Sequence, residues 1–123
     1  MGAAPIERDR HFLMPGDTAM VSGNGEILTV LGSCVAVILM DRHRSLAAMA
    51  HYVLPLPLEN LSGKDARYGC HAIQEIVDRM TSAGSRMHEL EAEIHGGADV
   101  LTGVPIGKSV GEGNIDLAVK QLR

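Results

Sequence analysis

Short apolar runs separated by polar turns occupy the first half of the sequence. Residues 26–30 read EILTV, and residues 35–40 read VAVILM, a continuous hydrophobic run typical of a strand buried on both faces. Residues 46–54 form a third apolar run, which ends before two prolines. Turn segments separate these runs at intervals of about ten residues, which predicts a meander of three antiparallel strands. Upstream, residues 11–21 form an apolar stretch interrupted by a Pro-Gly pair.

The second half begins with a helical pattern. Apolar side chains recur at a spacing of three and four residues, which defines one buried stripe on a helix. The positions in this stripe are Cys70, Ile73, Ile76, Val77 and Met80. Gly84 is suited to end the helix, because glycine readily adopts the left-handed conformation that follows a helix end.

A strand and a last helix complete the pattern. Residues 88–94 alternate between polar and apolar side chains, which predicts a strand with one face in water. Residues 104–106 suggest a further strand end. Asn114 is expected to cap the last helix. The predicted buried face of that helix consists of Ile115, Ala118, Val119 and Leu122. Together these elements predict an α/β protein of the α+β type.

Composition narrows the class of protein. A chain of 123 residues with 46% hydrophobic residues predicts one domain, here residues 11–123, after a flexible stretch of residues 1–10. Aromatic residues make up only 2%, which argues against a surface that stacks nucleic-acid bases. The net charge of −4, without a basic cluster, disfavours nucleic acid and anionic membranes as partners. No apolar run reaches the roughly 18 residues that span a bilayer, so the expected location is the cytoplasm.

The turn between the first two predicted strands carries a candidate nucleophile. Cys34 follows Gly32 and Ser33 on a tight turn, where backbone N–H groups could face a developing oxyanion. His51 lies on the next strand of the predicted hairpin and could deprotonate the thiol. Thr29 on the preceding strand could orient the imidazole. The competing interpretation is a cysteine buried as a small apolar residue beside a structural histidine.

The second cysteine favours a structural role. Cys70 falls on the apolar stripe of the predicted helix, and the side chain of His71 points about 100° away from it. The sequence contains neither a C-x-x-C pair nor an H-E-x-x-H helix, so no metal site is predicted. A redox or metal protein that uses both cysteines remains an alternative, and stoichiometric zinc would favour it.

Several longer segments resemble one protein family in order along the chain. These segments are HFLMPGD (11–17), LGSCVAV (31–37), AMAHYVLP (48–55), ARYGCHAIQEIV (66–77), LEAEIHGGADVL (90–101) and VGEGN (110–114). They resemble the CheD family, the chemoreceptor glutamine deamidases of bacterial chemotaxis. The most specific feature is the Leu-Gly-Ser-Cys turn, followed by a histidine seventeen residues after the cysteine.

The resemblance implies a protein-glutamine glutaminase without a cofactor. Cys34 would attack the side-chain amide of a receptor glutamine and form a thioester, and water would then release glutamate. His51 would act as base and acid, and Thr29 would orient it. The implied partners are the cytoplasmic helices of chemoreceptors and CheC, a phosphatase of the phosphorylated response regulator. The implied fold is a mixed β-sandwich with flanking helices, similar to the cysteine hydrolase domain of cytotoxic necrotizing factor toxins.

A second hypothesis concerns the C-terminal region. Members of the family usually continue past the last helix with further strands, whereas this chain ends at Arg123, so the domain is expected to lack those C-terminal strands. If those strands are needed for catalysis, this chain would act as a non-catalytic binding module for a CheC-like phosphatase or a receptor helix. The two hypotheses differ at Cys34, because an enzyme requires its thiol and a binding module tolerates alanine there.

Overall fold

The computed structural model describes residues 9–54, 66–97 and 110–122, which contain two sheets and two α-helices. In chain order the elements are β1 (Arg10–Leu13), β2 (Thr18–Ser22), β3 (Glu26–Thr29), β4 (Val35–Asp41), β5 (Leu46–Tyr52), α1 (Gly69–Ser82), β6 (Glu91–Gly96) and α2 (Val110–Leu122). A single 3-10 turn, Met87–Glu89, precedes β6. The predicted α+β class is confirmed. Residues 1–8 of the expected flexible N-terminus lie outside the described residues, and Arg10 begins β1.

The strands form two separate sheets, which corrects the predicted meander. Strands β2, β5, β4 and β6 pair in that order as an antiparallel sheet, and the predicted β4–β5 hairpin is confirmed. Strand β3 does not join them, because it pairs in parallel with β1 in a two-stranded sheet. The stretch 11–21 supplies β1 and β2, and the chain turns between them at Pro15 and Gly16.

The four-stranded sheet is covered on both faces. Helices α1 and α2 cover one face, where the buried side chains include Val35, Val37, Ala50, Tyr52, Ile73, Ile76, Met80 and Ala118. The two-stranded sheet covers the other face, where Leu13 and Ile27 pack with Ala19, Ala36 and Met49. Apolar side chains on both faces of β4 explain its uninterrupted hydrophobic sequence.

Helix α1 matches its predicted pattern and end. Ile73, Ile76 and Met80 are buried as predicted, whereas Cys70 and Val77 are only half-buried. Gly84 has φ 107°, and its N–H donates to the carbonyl of Thr81 at 3.0 Å. The N–H of Ser85 donates to the carbonyl of Met80 at 3.0 Å, which completes a Schellman motif. The predicted glycine stop is therefore confirmed with its hydrogen bonds.

The last two elements depart from the sequence-based prediction. The predicted strand over residues 88–94 starts later, at Glu91, because the preceding residues form the 3-10 turn. Asn114 does not cap α2, since the helix begins at Val110 and the Asn114 side chain is fully buried. Val119, expected on the buried face, is 40% exposed. The strand end suggested at residues 104–106 lies outside the described residues.

Asp41 organises the turn that joins β4 to β5. Its carboxylate accepts hydrogen bonds from the backbone N–H groups of His43 and Arg44, at 3.0 and 3.2 Å. The hydroxyl of Ser85 donates a third hydrogen bond at 2.6 Å. The Ser85 hydrogen bond lowers the pKa of Asp41, burial opposes this change, and Arg44 lowers the pKa further. The ionised carboxylate therefore stabilises the hairpin turn.

We expect Asp41→Asn to weaken the acid dependence of stability. A carboxylate whose folded-state pKa lies below its unfolded value stabilises the fold at neutral pH, and this contribution is lost as the pH falls through the folded-state pKa. Urea unfolding between about pH 7 and pH 3 should show a smaller decrease in the free energy of unfolding for the variant than for wild type. The control Asp78→Asn, at an exposed position on α1, should follow wild type. Equal slopes for wild type and Asp41→Asn would contradict this account.

Candidate active site

Backbone contacts from β6 hold the turn that carries Cys34. Cys34 is half-buried and immediately precedes β4. The N–H of Gly97 donates to the carbonyl of Cys34 at 2.9 Å. Gly96 has φ 97°, and a Cβ atom added there would collide with the Cys34 carbonyl oxygen. Two glycines thus allow the end of β6 to approach the backbone of the candidate nucleophile closely.

The ladder between β4 and β5 places His51 near this turn. His51 pairs with Ala36, two residues after Cys34, and its side chain is only 2% exposed. Residues directly paired across a ladder have their side chains on the same face of the sheet. Ala36 lies on the face that the two-stranded sheet covers, so His51 lies on that face as well. Diagonal neighbours across a regular antiparallel ladder lie about 7–8 Å apart. The register therefore brings the turn and the imidazole to the same end of the sheet.

Thr29 connects the imidazole to the two-stranded sheet. Its hydroxyl donates to the carbonyl of Leu13 at 2.8 Å and lies 2.8 Å from Nδ1 of His51. A carbonyl can only accept, so the single hydroxyl proton goes to Leu13 and the Thr29 oxygen must accept from His51. This assignment fixes the imidazole as the Nδ1–H tautomer, with an unprotonated Nε2.

The Nε2 atom of His51 is available to accept a proton. It is buried and has no hydrogen-bond partner among the described residues. Burial lowers the pKa of His51, and the Leu13 carbonyl and the charge of Asp17 act in the opposite sense. Burial also raises the pKa of Cys34, and the backbone N–H of Cys34 opposes that change. Both shifts favour the neutral forms of the Cys34 thiol and the His51 imidazole over their charged forms.

Gly32 and Ser33 form the bend that leads into Cys34. The carbonyl of Ser33 accepts a hydrogen bond from the side-chain amide of Asn114 at 3.1 Å. This carbonyl points toward α2, and the hydrogen bond fixes the peptide that joins Ser33 to Cys34. Binding of an oxyanion by the backbone of Gly32 and Ser33 stays a prediction.

Asn114 is the residue of this region that the sequence reasoning assigned wrongly. It donates to the carbonyls of Ser33 and Val53, at 3.1 and 2.7 Å, instead of capping a helix. A signal for this role was available, since Asn114 lies one turn before Ala118 and therefore on the buried face of α2. A polar side chain on such a face must find hydrogen-bond partners in the interior.

The second cysteine lies on the other face of the four-stranded sheet. Cys70 and His71 belong to α1, on the opposite face of the sheet, where they line a cavity of about 810 Å³. None of the residues Thr29, Cys34 and His51 lines that cavity. Both cysteines are free thiols. Within residues 9–54, 66–97 and 110–122, no group of histidine, cysteine and carboxylate side chains could hold a metal ion. In the same residues, neither helix is long and apolar enough to cross a membrane.

Comparison with known proteins gives one consistent family. Residues 53–123 match the family model described as CheD chemotactic sensory transduction. A protein of Rhodospirillum rubrum named "Probable chemoreceptor glutamine deamidase CheD" is 43% identical over 112 residues, which cover 90% of this chain and 62% of that protein. A protein of the same name from Trichlorobacter lovleyi is 39% identical over 120 residues, which cover 97% of this chain and 72% of that protein.

A third relative shows the same relation in length. "Probable chemoreceptor glutamine deamidase CheD 1" of Shewanella oneidensis is 35% identical to this chain, and the alignment covers 94% of this chain and 60% of the relative. The chain thus spans a little over 60% of the length of the Rhodospirillum rubrum relative and 60% of the Shewanella oneidensis one. The family-model match begins at residue 53 and therefore does not include Thr29, Cys34 and His51. The pairwise matches to the individual relatives extend over the segment that carries these three residues.

We expect His51 to be a neutral Nδ1–H imidazole at neutral pH. Long-range 1H–15N NMR of the histidine rings should show this tautomer in wild type and in Thr29→Ser, which keeps the hydroxyl. In Thr29→Val, Nδ1 loses its acceptor, and we expect the tautomer signals to change. The pKa of His51 in wild type should lie below about 6.5 because the ring is buried. An Nε2–H tautomer in wild type would contradict the assignment.

Proposed function

The chain belongs to the CheD family, and on that basis we propose that it deamidates glutamine side chains of chemoreceptors, converting them to glutamate with release of ammonia. The observation that carries this proposal is the unpartnered Nε2 of His51. Thr29 and the Leu13 carbonyl orient the His51 ring so that the basic Nε2 atom faces away from them. A buried, oriented and unprotonated imidazole near a cysteine turn suits nucleophilic acyl chemistry.

The first half of the proposed reaction forms a thioester. Nε2 of His51 takes the proton of the Cys34 thiol as the sulfur attacks the glutamine amide carbon. The negative charge that develops on the amide oxygen is stabilised by backbone N–H groups of the turn at Gly32 and Ser33. His51 then gives its proton to the amide nitrogen, the C–N bond breaks, and ammonia leaves.

The second half regenerates the enzyme. Nε2 of His51 removes a proton from water, and the resulting hydroxide attacks the thioester carbon. The C–S bond breaks, the thiolate of Cys34 takes back the proton, and glutamate remains on the substrate. Thr29 keeps Nδ1 protonated throughout, so Nε2 exchanges the proton in both halves.

The family also suggests the setting of this activity. We propose the cytoplasmic helices of chemoreceptors as substrates and a CheC-like phosphatase as a partner, both in the cytoplasm. We further propose that the fold is that of the cysteine hydrolase domain of cytotoxic necrotizing factor toxins. The two sheets packed around the Thr29–His51 pair and the two helices on the outer face support this assignment.

We expect deamidation to require Cys34 and His51. Ammonia release and the accompanying mass increase would be measured on a cytoplasmic chemoreceptor fragment. Cys34→Ser should reduce the rate to background, and His51→Ala should reduce it about 10²–10⁴-fold because the general base is lost. Thr29→Val should reduce it about fivefold, since one hydrogen bond is worth about 1 kcal/mol.

Cys70→Ser is the matched control for this experiment. It removes the other free thiol, on the opposite face of the sheet, and should leave the rate unchanged. Activity that survives Cys34→Ser would refute the proposed nucleophile. A folded but inactive wild type that still binds a receptor fragment or a CheC-like protein would instead support the non-catalytic binding module.

The pH dependence of kcat/KM should show an acid limb that reports His51. The rate requires a neutral imidazole, so it should rise with pH as His51 loses its proton. Because burial lowers the pKa of His51, we expect the midpoint of this limb below about 6.5. Initial rates between about pH 4.5 and 8 would test this expectation. A midpoint clearly above 6.5 would show that a different group, or an ion pair, controls the reaction.

A further inference from the structure

Asn114 links the candidate nucleophile to the strand that carries the candidate base. Its side-chain nitrogen donates to the carbonyl of Ser33 at 3.1 Å and to the carbonyl of Val53 at 2.7 Å. Ser33 directly precedes Cys34, and Val53 lies two residues after His51. The side chain is fully buried. Because both partners are carbonyls, the amide must present its NH₂ end to them, and both of its protons are used.

We propose that Asn114 is a positioning residue that sets the geometry of Cys34 relative to His51, an inference that rests on the proposed deamidase function. In a trans peptide the carbonyl and the following N–H point in opposite directions, and the described chain contains no cis peptide. By holding the Ser33 carbonyl, Asn114 directs the N–H of Cys34 away from α2.

The second peptide of Cys34 is held from the other side. The N–H of Gly97 donates to the Cys34 carbonyl at 2.9 Å. The two peptides that flank Cys34 are therefore both fixed, one by α2 and the other by the end of β6. Two fixed peptides leave Cys34 little freedom in φ and ψ, so the direction of its Cα–Cβ bond is fixed as well.

Helix α2 is itself anchored at this position. The hydroxyl of Tyr52 donates to the backbone carbonyl of Asn114. Tyr52 lies between His51 and Val53 on the chain, and burial raises its pKa, so the hydroxyl keeps its proton and remains a donor. Residues 51–53 and Asn114 are thus joined by two hydrogen bonds, and movement of the amide relative to the base is restricted.

The pKa of the Cys34 thiol should depend on this arrangement. Burial raises its pKa, and its backbone N–H acts in the opposite direction. Without the amide of Asn114, the peptide between Ser33 and Cys34 is free to rotate and the N–H moves away from the sulfur. The thiol then becomes harder to ionise.

The test compares Asn114→Ala and Asn114→Ser with wild type in three measurements. These are kcat and KM for deamidation of a chemoreceptor fragment, the pH dependence of Cys34 alkylation by iodoacetamide in a Cys70→Ser background, and the thermal unfolding midpoint. We expect kcat to fall about 100-fold with KM changed less than about twofold, as is usual when reacting groups are displaced by about 1 Å. The midpoint of alkylation should move to higher pH.

Ala118→Gly is the matched control. Ala118 is fully buried one turn further along α2, and glycine there weakens the helix while the Asn114 side chain, which donates to Ser33 and Val53, is retained. This variant should lower the unfolding midpoint while kcat and the alkylation midpoint stay at wild-type values. If one Asn114 variant does not fold, the other carries the comparison.

Two results would overturn the inference. One is a folded Asn114 variant with wild-type kcat and alkylation behaviour, and the other is an equal loss in Ala118→Gly. If wild type shows no deamidation, the proposed function fails, and the alkylation comparison alone decides whether Asn114 positions the thiol. An unchanged alkylation midpoint in that case also refutes the inference.

Discussion

The antiparallel ladder along β4 is the constraint on which the whole site depends. This strand pairs with β5 on one side and with β6 on the other, so that Val35 faces both Tyr52 and Gly96. A slip of one residue between β4 and β5 would reverse every side chain of β5. His51 would then enter the apolar layer under the helices, and Tyr52 would leave it. Burial of both faces therefore selects one register, and that register sets the position of the imidazole.

The two-stranded sheet determines the environment of the His51 imidazole. It removes His51 from water and provides the hydroxyl of Thr29 and the carbonyl of Leu13 as a hydrogen-bonded support. Removal from water acts in opposite directions on an acid and a base, and here it keeps both the thiol and the imidazole neutral. In the proposed reaction the proton moves as the sulfur attacks, so no stable ion pair has to be maintained in a buried site.

Local sequence patterns predicted most of the helices and strands. They did not predict which distant residues come into contact. The hydrophobic run of β4, the stripe of α1 and the stop at Gly84 follow from short segments, so periodicity and glycine geometry were sufficient. Strand β3 was assigned to the wrong sheet, because its partner β1 is parallel and lies across an intervening strand. The contact of Thr29 with His51 arises from the packing of two sheets, although the sequence reasoning reached it through a meander. Asn114 was misassigned because its partners are 81 and 61 residues away.

The acceptor at the end of the Thr29–His51 chain of hydrogen bonds is a main-chain carbonyl. A side-chain acceptor can be lost through a single nucleotide change, whereas the carbonyl of residue 13 persists whichever amino acid is encoded there. Position 13 is therefore free to vary within the limits of an apolar buried side chain, 4% exposed in this protein. Among side chains, this part of the site then depends on Thr29 and His51, and it also depends on the pairing of β1 with β3. Natural sequence variation at residue 13 should accordingly be limited by packing volume and not by any requirement of the proposed reaction.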